Sequence, residues 1–267
     1  MRIARTHGGK TVLTWAKLGY VAKDGEDGEL CYTNQLCQKR AVYFRSDQVR
    51  PGTPEEIDEV LRPIREKHNE ASRRYRAYKS GLKKIKSTVA DVIRTYSKEP
   101  YQKVVFDLET TGLDAETDEI LQISAINERG EVLINEYIKP YKKATWEEAE
   151  RINNISPSMV KDCETLDHYA AEIQRIFLSA TELIAYNGAF DMGFLTSFGI
   201  QIPARPYYDV MQEFAEIYGE RRGDGYKWQK LRTCAEYYGY EYKPHDSLED
   251  VKATLYCYQQ MTADNKG

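Results

Sequence analysis

From Tyr101 onward, short apolar runs of strand length alternate with segments of helical periodicity, and this alternation is the strongest constraint on the fold. Strand candidates lie at residues 104–106, 120–127, 132–138 and 182–186. Helical patterns lie at residues 146–152, 166–178, 190–198, 210–218, 228–238 and 247–261. Because strands that alternate with helices pack as a sheet covered by helices, about 160 residues of this kind predict a single α/β domain.

The first hundred residues differ from this domain in charge. Residues 1–100 hold 21 basic and 13 acidic side chains, whereas residues 101–267 hold 17 basic and 29 acidic ones. Such an asymmetry indicates regions with different tasks. We expect a small β-rich unit over residues 1–52, a basic helical linker or arm over residues 53–100, and the α/β domain over residues 101–267.

The predicted helical arm begins at a capping box, Thr53-Pro54-Glu55-Glu56, and Pro63 is expected to kink or restart the helix. Residues 62–98 contain twelve Lys or Arg and three acidic residues. Because a basic helix can follow a phosphate backbone by releasing counterions, this segment could help to hold nucleic acid. Alternatively, it is a linker or a surface for a replication or repair partner, with a few apolar positions that touch a neighbour: Leu82, Ile85, Val89 and Ile93.

Several classes of protein are excluded by composition. No run approaches the ~20 apolar residues of a transmembrane helix, and the basic N-terminus lacks the apolar stretch of a secretory signal. The five cysteines are scattered without the spacing of a zinc site or a disulfide scaffold. We therefore expect a reduced, cytoplasmic chain with no membrane partner.

The first candidate for chemistry is Asp107-Leu108-Glu109, which follows the apolar run 104–106 directly. Residues i and i+2 of a strand point to the same face, so Asp107 and Glu109 should project together. Paired carboxylates beside a buried strand need a compensating cation, and Mg²⁺ or Mn²⁺ suits their oxygen ligands. An ordinary surface pair is one alternative. A haloacid-dehalogenase-type phosphatase is another, although Glu109 stands where that motif has a second Asp.

Two further motifs each place an acid at the start of a predicted helix. Asn187-Gly188-Ala189-Phe190-Asp191 joins a strand to a helix, so Asp191 falls in the first turn. In His245-Asp246-Ser247-Leu248-Glu249-Asp250, residues 246 and 249 have capping-box spacing, so Asp250 also falls in a first turn. His245 lies on the loop just before it. Taken alone, each motif is typical of an ordinary helix start.

In this order the three motifs resemble those of the DEDDh group of 3′–5′ exonucleases, which includes the proofreading exonuclease subunit of bacterial DNA polymerase III. The resemblance covers residues 101–262 and rests on residues 104–113, on Asn187 with Asp191, and on the His-x4-Asp spacing of His245 and Asp250. It implies an RNase H-like fold, with a mixed central sheet flanked by helices. The sequence departs from the usual pattern of this family at two places, which concern substrate preference. Tyr186 replaces a common His, and Asn153-Asn154 replaces a His-Gly pair.

The resemblance also implies roles for individual residues with two Mg²⁺ or Mn²⁺ ions as cofactors. Asp107 would bridge the two metals, Glu109 and Asp250 would complete one site, Asp191 would act on the second metal, and His245 would deprotonate the attacking water. The residues expected to contact the terminal nucleotide are Thr110, Thr111, Gly112, Leu113, Asn187 and Phe190.

The implied activity is release of nucleoside 5′-monophosphates from the 3′ ends of single-stranded DNA. An exoribonuclease that trims RNA 3′ ends is an alternative within the same chemistry. A nucleic-acid-binding adaptor that has lost activity is an alternative of a different class, against which the intact set of five residues argues.

Overall fold

The computed structural model describes residues 9–32 and 40–264. The chain divides into two compact units, residues 1–73 and residues 74–267. The division falls inside one long helix, which contributes to both units. The expected three-part division at residues 52 and 100 stays a prediction.

The first unit contains five short strands and a one-and-a-half-turn helix before the long helix begins. These elements are β1 (Lys10–Thr11), α1 (Val12–Lys17), β2 (Tyr20–Ala22), β3 (Glu29–Tyr32), β4 (Arg40–Phe44) and β5 (Val49–Pro51). The strands form an antiparallel sheet in the order β1-β4-β3 and a separate antiparallel pair, β2 with β5. Trp15 packs with Phe44 and Val49, and its indole donates a hydrogen bond to the Phe44 carbonyl over 2.9 Å. Helix α1 was not predicted within this β-rich unit.

The long helix α2 (Pro54–Thr95) begins as the capping box predicts. The backbone N–H of Thr53 donates to the Glu56 carboxylate over 2.8 Å, and the Glu56 N–H donates to the Thr53 hydroxyl over 3.3 Å. The helix continues through Pro63, so the expected restart does not occur, and the alternative, a kink at Pro63, stays a prediction. A proline removes one backbone hydrogen bond, but its fixed φ is itself helical, so the residues on both sides keep the helical conformation.

The C-terminal part of α2 is a structural element of the second unit. Ile85 and Val89 are completely buried in the main core of that unit. These two apolar positions of the basic segment therefore contact neighbouring elements, as expected. Val92 is also buried, whereas Ile93, which was expected to touch a neighbour, is 36% exposed. The 3.6-residue period places Val92 on the same face as Ile85 and Val89, and it places Ile93 at the edge of that face.

The centre of the second unit is a five-stranded mixed sheet. Its strands are β6 (Gln102–Thr110), β7 (Ile120–Asn127), β8 (Val132–Tyr137), β9 (Ala180–Ala185) and β10 (Tyr207–Asp209). Their order is β10-β9-β6-β7-β8. Strand β7 is antiparallel to both neighbours, whereas β6, β9 and β10 run parallel. This arrangement confirms the predicted mixed sheet of an RNase H-like fold.

Helices follow the strands as predicted, with one exception. They are α3 (Glu147–Asn153), α4 (Pro157–Val160), α5 (Leu166–Ser179), α6 (Gly188–Ser197), α7 (Val210–Tyr218), α8 (Leu231–Tyr237) and α9 (Ser247–Asp264). The exception is the one-turn helix α4, which was not predicted. Helix α8 begins three residues later than expected. A small hairpin of β11 (Arg221–Arg222) and β12 (Gly225–Tyr226) is followed by residues 227–230, which have no regular secondary structure. Of the helices in the described residues, none has both the length and the apolar composition needed to cross a bilayer.

Two apolar cores cover the two faces of the sheet. Val104, Phe106 and Leu108 point into one core, which α2, α5 and α6 complete. Val105 points into the other core, which α7, α8 and α9 complete. Because successive strand residues alternate between faces, Asp107 and Glu109 continue the face of Val105, on the side where α9 packs.

Candidate active site

The three predicted motifs meet at one edge of the sheet. Strands β6 and β9 run parallel, so their carboxyl ends lie side by side, and the first two motifs follow those ends. A pocket of about 720 Å³ opens there. Of the predicted site residues it is lined by Asp107, Glu109, Leu113, Asn187, Phe190, Asp191, His245 and Asp250.

Strand β6 presents the first pair of carboxylates. Asp107 stands opposite Ser124 of β7, and Glu109 stands opposite Gln122. The register shifts immediately after Glu109, and Thr110 pairs with Ile120 before the chain turns. Ladder pairing of both residues therefore fixes the direction of their side chains before the chain changes course.

Asp191 reaches the site from the first turn of α6. Asn187 caps this helix in the left-handed conformation, with φ of 64°, which asparagine tolerates better than most residues. The Asn187 backbone N–H donates to the buried Asp209 carboxylate over 3.2 Å. The Asp191 carboxylate accepts a hydrogen bond from the Leu108 backbone N–H over 3.2 Å, so it lies directly beside β6.

Helix α9 brings the third motif to the same place. Its first residue, Ser247, shares a buried hydrogen bond of 2.6 Å with Ser124 of β7. Asp246 caps the helix by accepting from the Leu248 N–H over 3.0 Å. His245 has φ of 69°, and its backbone N–H donates to the Asp250 carboxylate over 3.1 Å. The left-handed residue thus turns the chain so that the imidazole and the carboxylate share one helix entrance.

These groups form a dense cluster of acids. Ligand atoms of Glu109, His245 and Asp250 all lie within 4.8 Å of one another. Burial, and then the neighbouring charges of Asp191 and Asp250, raise the pKa of Asp107 well above its usual range. Burial also raises the pKa of Asp191, although the Leu108 N–H opposes this.

The other two carboxylates show the same direction of shift. Burial raises the pKa of Glu109 to about 7, with a further contribution from Asp250 and an opposing hydrogen bond from Asn153. Burial raises the pKa of Asp250 to about 6, opposed by hydrogen bonds from Tyr242 and from the His245 backbone. In the described part of the chain, none of the four carboxylates forms an ion pair with a Lys or Arg.

The donor set fits a divalent cation. Four carboxylates that face one another without a basic partner are unfavourable as anions, and a bound cation would reverse that cost. Carboxylate oxygens suit hard cations such as Mg²⁺ and Mn²⁺. Asp107, Glu109, Asp191 and Asp250 are thus the residues that could hold a metal here, with His245 beside them.

The predicted substrate residues divide into two groups. Leu113 is 86% exposed at the pocket, and Phe190 lines it while packing on Phe194 with a ring separation of 4.9 Å. Thr110 instead ends β6, Thr111 and Gly112 form the turn after it, and all three lie outside the pocket lining. The Thr111 N–H is already donated to the Glu119 carbonyl over 2.8 Å. A Cβ at Gly112 would lie 2.4 Å from the Asp118 carboxylate, so glycine permits this close approach.

Sequence reasoning missed three side chains that support the site. The buried Asn153 amide donates to the Thr110 carbonyl over 3.2 Å and also to the Glu109 carboxylate. The Tyr242 hydroxyl donates to Asp250. Asp209, through its contact with Asn187, supports the start of α6. Asn153 was noticed only as a departure from the family pattern, and Tyr242 was one of many tyrosines in its stretch, so neither had a local signal of its role.

The segment before α8 also lines the pocket and was not predicted to do so. Gln229, Lys230 and Arg232 form part of its wall. Tyr186, the residue in place of a common His, donates its hydroxyl hydrogen to the Gln229 carbonyl over 2.8 Å. Tyr186 therefore attaches this wall to the end of β9.

Comparison with known proteins is consistent with this geometry. The model of the exonuclease family RNase_T matches residues 104–258. The chain is 32% identical to the PolC-type DNA polymerase III of Thermotoga maritima over 159 residues, which are 57% of this chain and 11% of that protein. It is 26% identical to the Bacillus subtilis PolC-type polymerase over 209 residues, which are 70% of this chain and 14% of that protein. The chain thus spans about one-seventh or less of these relatives.

A solved structure has the same fold. The zinc-bound complex of E. coli exonuclease I with single-stranded DNA superposes with a TM-score of 0.51 and 20% identity. The superposition covers 62% of this chain and 41% of exonuclease I.

Proposed function

Because this chain belongs to the RNase_T exonuclease family and is a 3′–5′ exonuclease of the DEDDh type, we propose that it removes nucleotides one at a time from the 3′ ends of single-stranded DNA. Enzymes of this family generally depend on divalent metals. The observation that carries the proposal is the convergence of Asp107, Glu109, Asp191, His245 and Asp250 on one open pocket.

The four carboxylates would hold two Mg²⁺ or Mn²⁺ ions, with Asp107 shared between them. Such a pair of metals stabilises both the attacking and the leaving oxygen of an in-line displacement at phosphorus. The raised pKa values of the carboxylates support this role, because they mark oxygens that lack a basic partner in the protein.

His245 would act as the general base. Its imidazole is exposed at the pocket, beside Glu109 and Asp250, where water has access. Imidazole exchanges a proton near neutral pH. It would take a proton from the attacking water as the water oxygen bonds to phosphorus. The bond from phosphorus to the 3′ oxygen then breaks, which leaves a 3′-hydroxyl on the shortened strand and releases a nucleoside 5′-monophosphate.

The terminal nucleotide would lie between Leu113, Phe190 and Asn187. Leu113 is almost fully exposed, so a ring packed against it would cover apolar surface that the protein leaves in water. Backbone groups of Thr110, Thr111 and Gly112 are further expected contacts, although the Thr111 N–H is already used within the turn.

The test is Asp107→Ala, measured on 5′-labelled single-stranded DNA with Mg²⁺. We expect a one-nucleotide ladder and 5′-monophosphate products from the natural chain, and a loss of at least 10³-fold in rate from the variant. The exposed Asp162 provides the matched control, since Asp162→Ala should leave the rate unchanged. Equal rates for Asp107→Ala and the natural chain would refute the site.

The same assay separates the two alternatives. Faster degradation of an RNA oligomer of the same sequence would make the chain an exoribonuclease. Tight binding of DNA without turnover in either Mg²⁺ or Mn²⁺ would make it an adaptor. The exposed basic residues of α2 are a further expected contact for nucleic acid, and a replication or repair partner is the alternative for that surface.

A further inference from the structure

A cationic segment beside the pocket has no part in the chemistry described above. Residues 221–232 contain five Lys or Arg and one acid, Asp224. The rest of residues 101–267 contains twelve basic and 28 acidic residues. Positive charge is therefore concentrated in twelve residues of an otherwise acidic domain, next to the site where a polyanion would end.

The segment is held in a defined shape. Strands β11 and β12 pair Arg221 with Tyr226, and the Lys227 N–H closes the hairpin by donating to the Glu220 carbonyl over 2.8 Å. The chain then runs along the pocket wall through Gln229, whose carbonyl accepts the hydrogen bond from Tyr186. This contact ties the segment to the residue that precedes Asn187 in the second catalytic motif.

Trp228 lies in the middle of this segment and is 62% exposed. It has no aromatic partner among residues 9–32 and 40–264. The other two tryptophans are buried, and each donates its indole hydrogen to a backbone carbonyl. A large ring left in water between two lysines offers a face on which a nucleic-acid base can stack.

The basic side chains of residues 221–232 differ in whether they already have a partner within the protein. Lys227 pairs with Glu220 at 2.8 Å, Arg232 pairs with Glu236 at 2.7 Å, and Arg221 lies over the Tyr226 ring at 4.4 Å. Arg222 and Lys230 are exposed, and neither has an ion pair within the part of the chain that the structure describes. These two are therefore available for phosphates.

We propose that residues 221–232 form a single-strand clamp that binds the nucleotides on the 5′ side of the 3′ end. Trp228 stacks on one base, while Arg222 and Lys230 bind the backbone phosphates. The proposal rests on the proposed function, because the strand must end in the catalytic pocket. Stacking needs an unpaired base, so the clamp selects single strands over duplex ends, with little preference for sequence.

The first experiment measures binding without turnover. The full chain in EDTA is titrated with a ten-nucleotide oligothymidylate, and tryptophan emission is followed. We expect quenching, because Trp228 is the one exposed indole among the described residues. Trp228→Leu should lose the quenching and bind about tenfold more weakly. The Arg222→Ser/Lys230→Ser pair should also bind about tenfold more weakly and lower the salt slope by about 1.4.

Two control variants test whether any exposed ring or cation has the same effect. Tyr101 is 62% exposed, and the exposed Arg175 lines a different cavity with it. Tyr101→Leu and Arg175→Ser should bind as the natural chain does. If they weaken binding as much as the clamp variants, or if a blunt duplex binds as well as the single strand, the clamp is refuted.

The second experiment uses Mg²⁺ and compares a dinucleotide with the ten-nucleotide strand. A dinucleotide ends before the clamp, so Trp228→Leu should lower kcat/KM about tenfold for the long strand alone. An equal loss on both substrates would indicate structural damage and overturn the proposal. If the natural chain cleaves neither substrate, the proposed function fails. Quenching of the Trp228 emission, together with tighter binding of single-stranded than of duplex DNA, would still support the clamp in that case. If the full chain bound other proteins through residues 221–232 but did not bind oligonucleotides, the clamp proposal would be overturned.

Discussion

Replacing Glu109 with Gln should stabilise the metal-free protein at neutral pH, although it removes a proposed metal ligand. Burial raises the pKa of Glu109 from 4.5 to about 7, so the folded protein holds this proton more tightly than the unfolded chain does. As pH rises from 4.5 to 7, the unfolded chain releases the proton first, and the free energy of unfolding falls. Above pH 7 the loss is complete.

The size of the effect follows from the pKa difference. A difference of this size corresponds to about 3 kcal/mol at 1.36 kcal/mol per pKa unit, and screening at this partly exposed side chain reduces the expected gain to about 1–2 kcal/mol. Gln has nearly the same shape, and its carbonyl can still accept the hydrogen bond from Asn153. The substitution therefore removes the charge with little change in packing.

Urea unfolding in EDTA at pH 4 to 8 provides the assay. The natural chain and Glu109→Gln should have similar stability at pH 4, and the variant should be more stable by about 1–2 kcal/mol at pH 7.5. Added Mg²⁺ should stabilise the natural chain and have a smaller effect on the variant. Glu172→Gln, at an exposed position of α5, is the control and should show no such pH dependence. A variant that is less stable than the natural chain at pH 7.5, or a difference independent of pH, would refute the reasoning.

Two further predictions concern a tyrosine that supports the site and a glycine of helix α2. Tyr242→Phe removes the hydrogen bond that lowers the pKa of Asp250, so the pKa of Asp250 should rise above about 6. As a result, kcat/KM at pH 6 should fall about three- to tenfold and recover at pH 8. Tyr240→Phe is the control. An equal loss at both pH values would contradict this role. Gly81→Ala should lower the free energy of unfolding by about 1–3 kcal/mol, because its Cβ would lie 2.4 Å from the Tyr141 hydroxyl oxygen. Gly193→Ala, where no atom lies within 4 Å, should instead be neutral or stabilising by up to ~1 kcal/mol, and urea unfolding measures both.

The elements that were predicted well are those with a local cause. Strand 120–127 and helix 210–218 were predicted with the bounds that the structure has, because a mostly apolar run and a 3.6-residue period depend on the chain's own sequence. The start of α2 was predicted from the reciprocal hydrogen bonds of Thr53 and Glu56, which need only four consecutive residues.

The elements that were missed depend on distant parts of the chain. Pro63 did not interrupt α2, and the basic segment proved to contribute Ile85 and Val89 to the main core of the second unit. A basic composition by itself does not show which face of a helix another layer will cover. The late start of helix α8 follows a hairpin whose strands have only two residues each, too short to produce a periodic signal.

The sequence alone predicted the proposed catalytic set and an α/β domain, because the order Asp107/Glu109, Asp191 and His245/Asp250 and the alternation of strands and helices can both be read along the chain. The mixed sheet was implied by the family resemblance that this order carries. The tertiary structure decided what surrounds that set. Asn153 beside Glu109, Tyr242 beside Asp250 and the basic wall attached to Tyr186 come from segments up to tens of residues apart. Tyr186 lies where parallel pairing brings the ends of β6 and β9 to one edge of the sheet, whereas Asn153 reaches the site from the end of α3 and Tyr242 from the loop before α9. A hydrogen bond or an electrostatic interaction depends on distance in space and not on distance along the chain, so no local sequence pattern predicts these contacts.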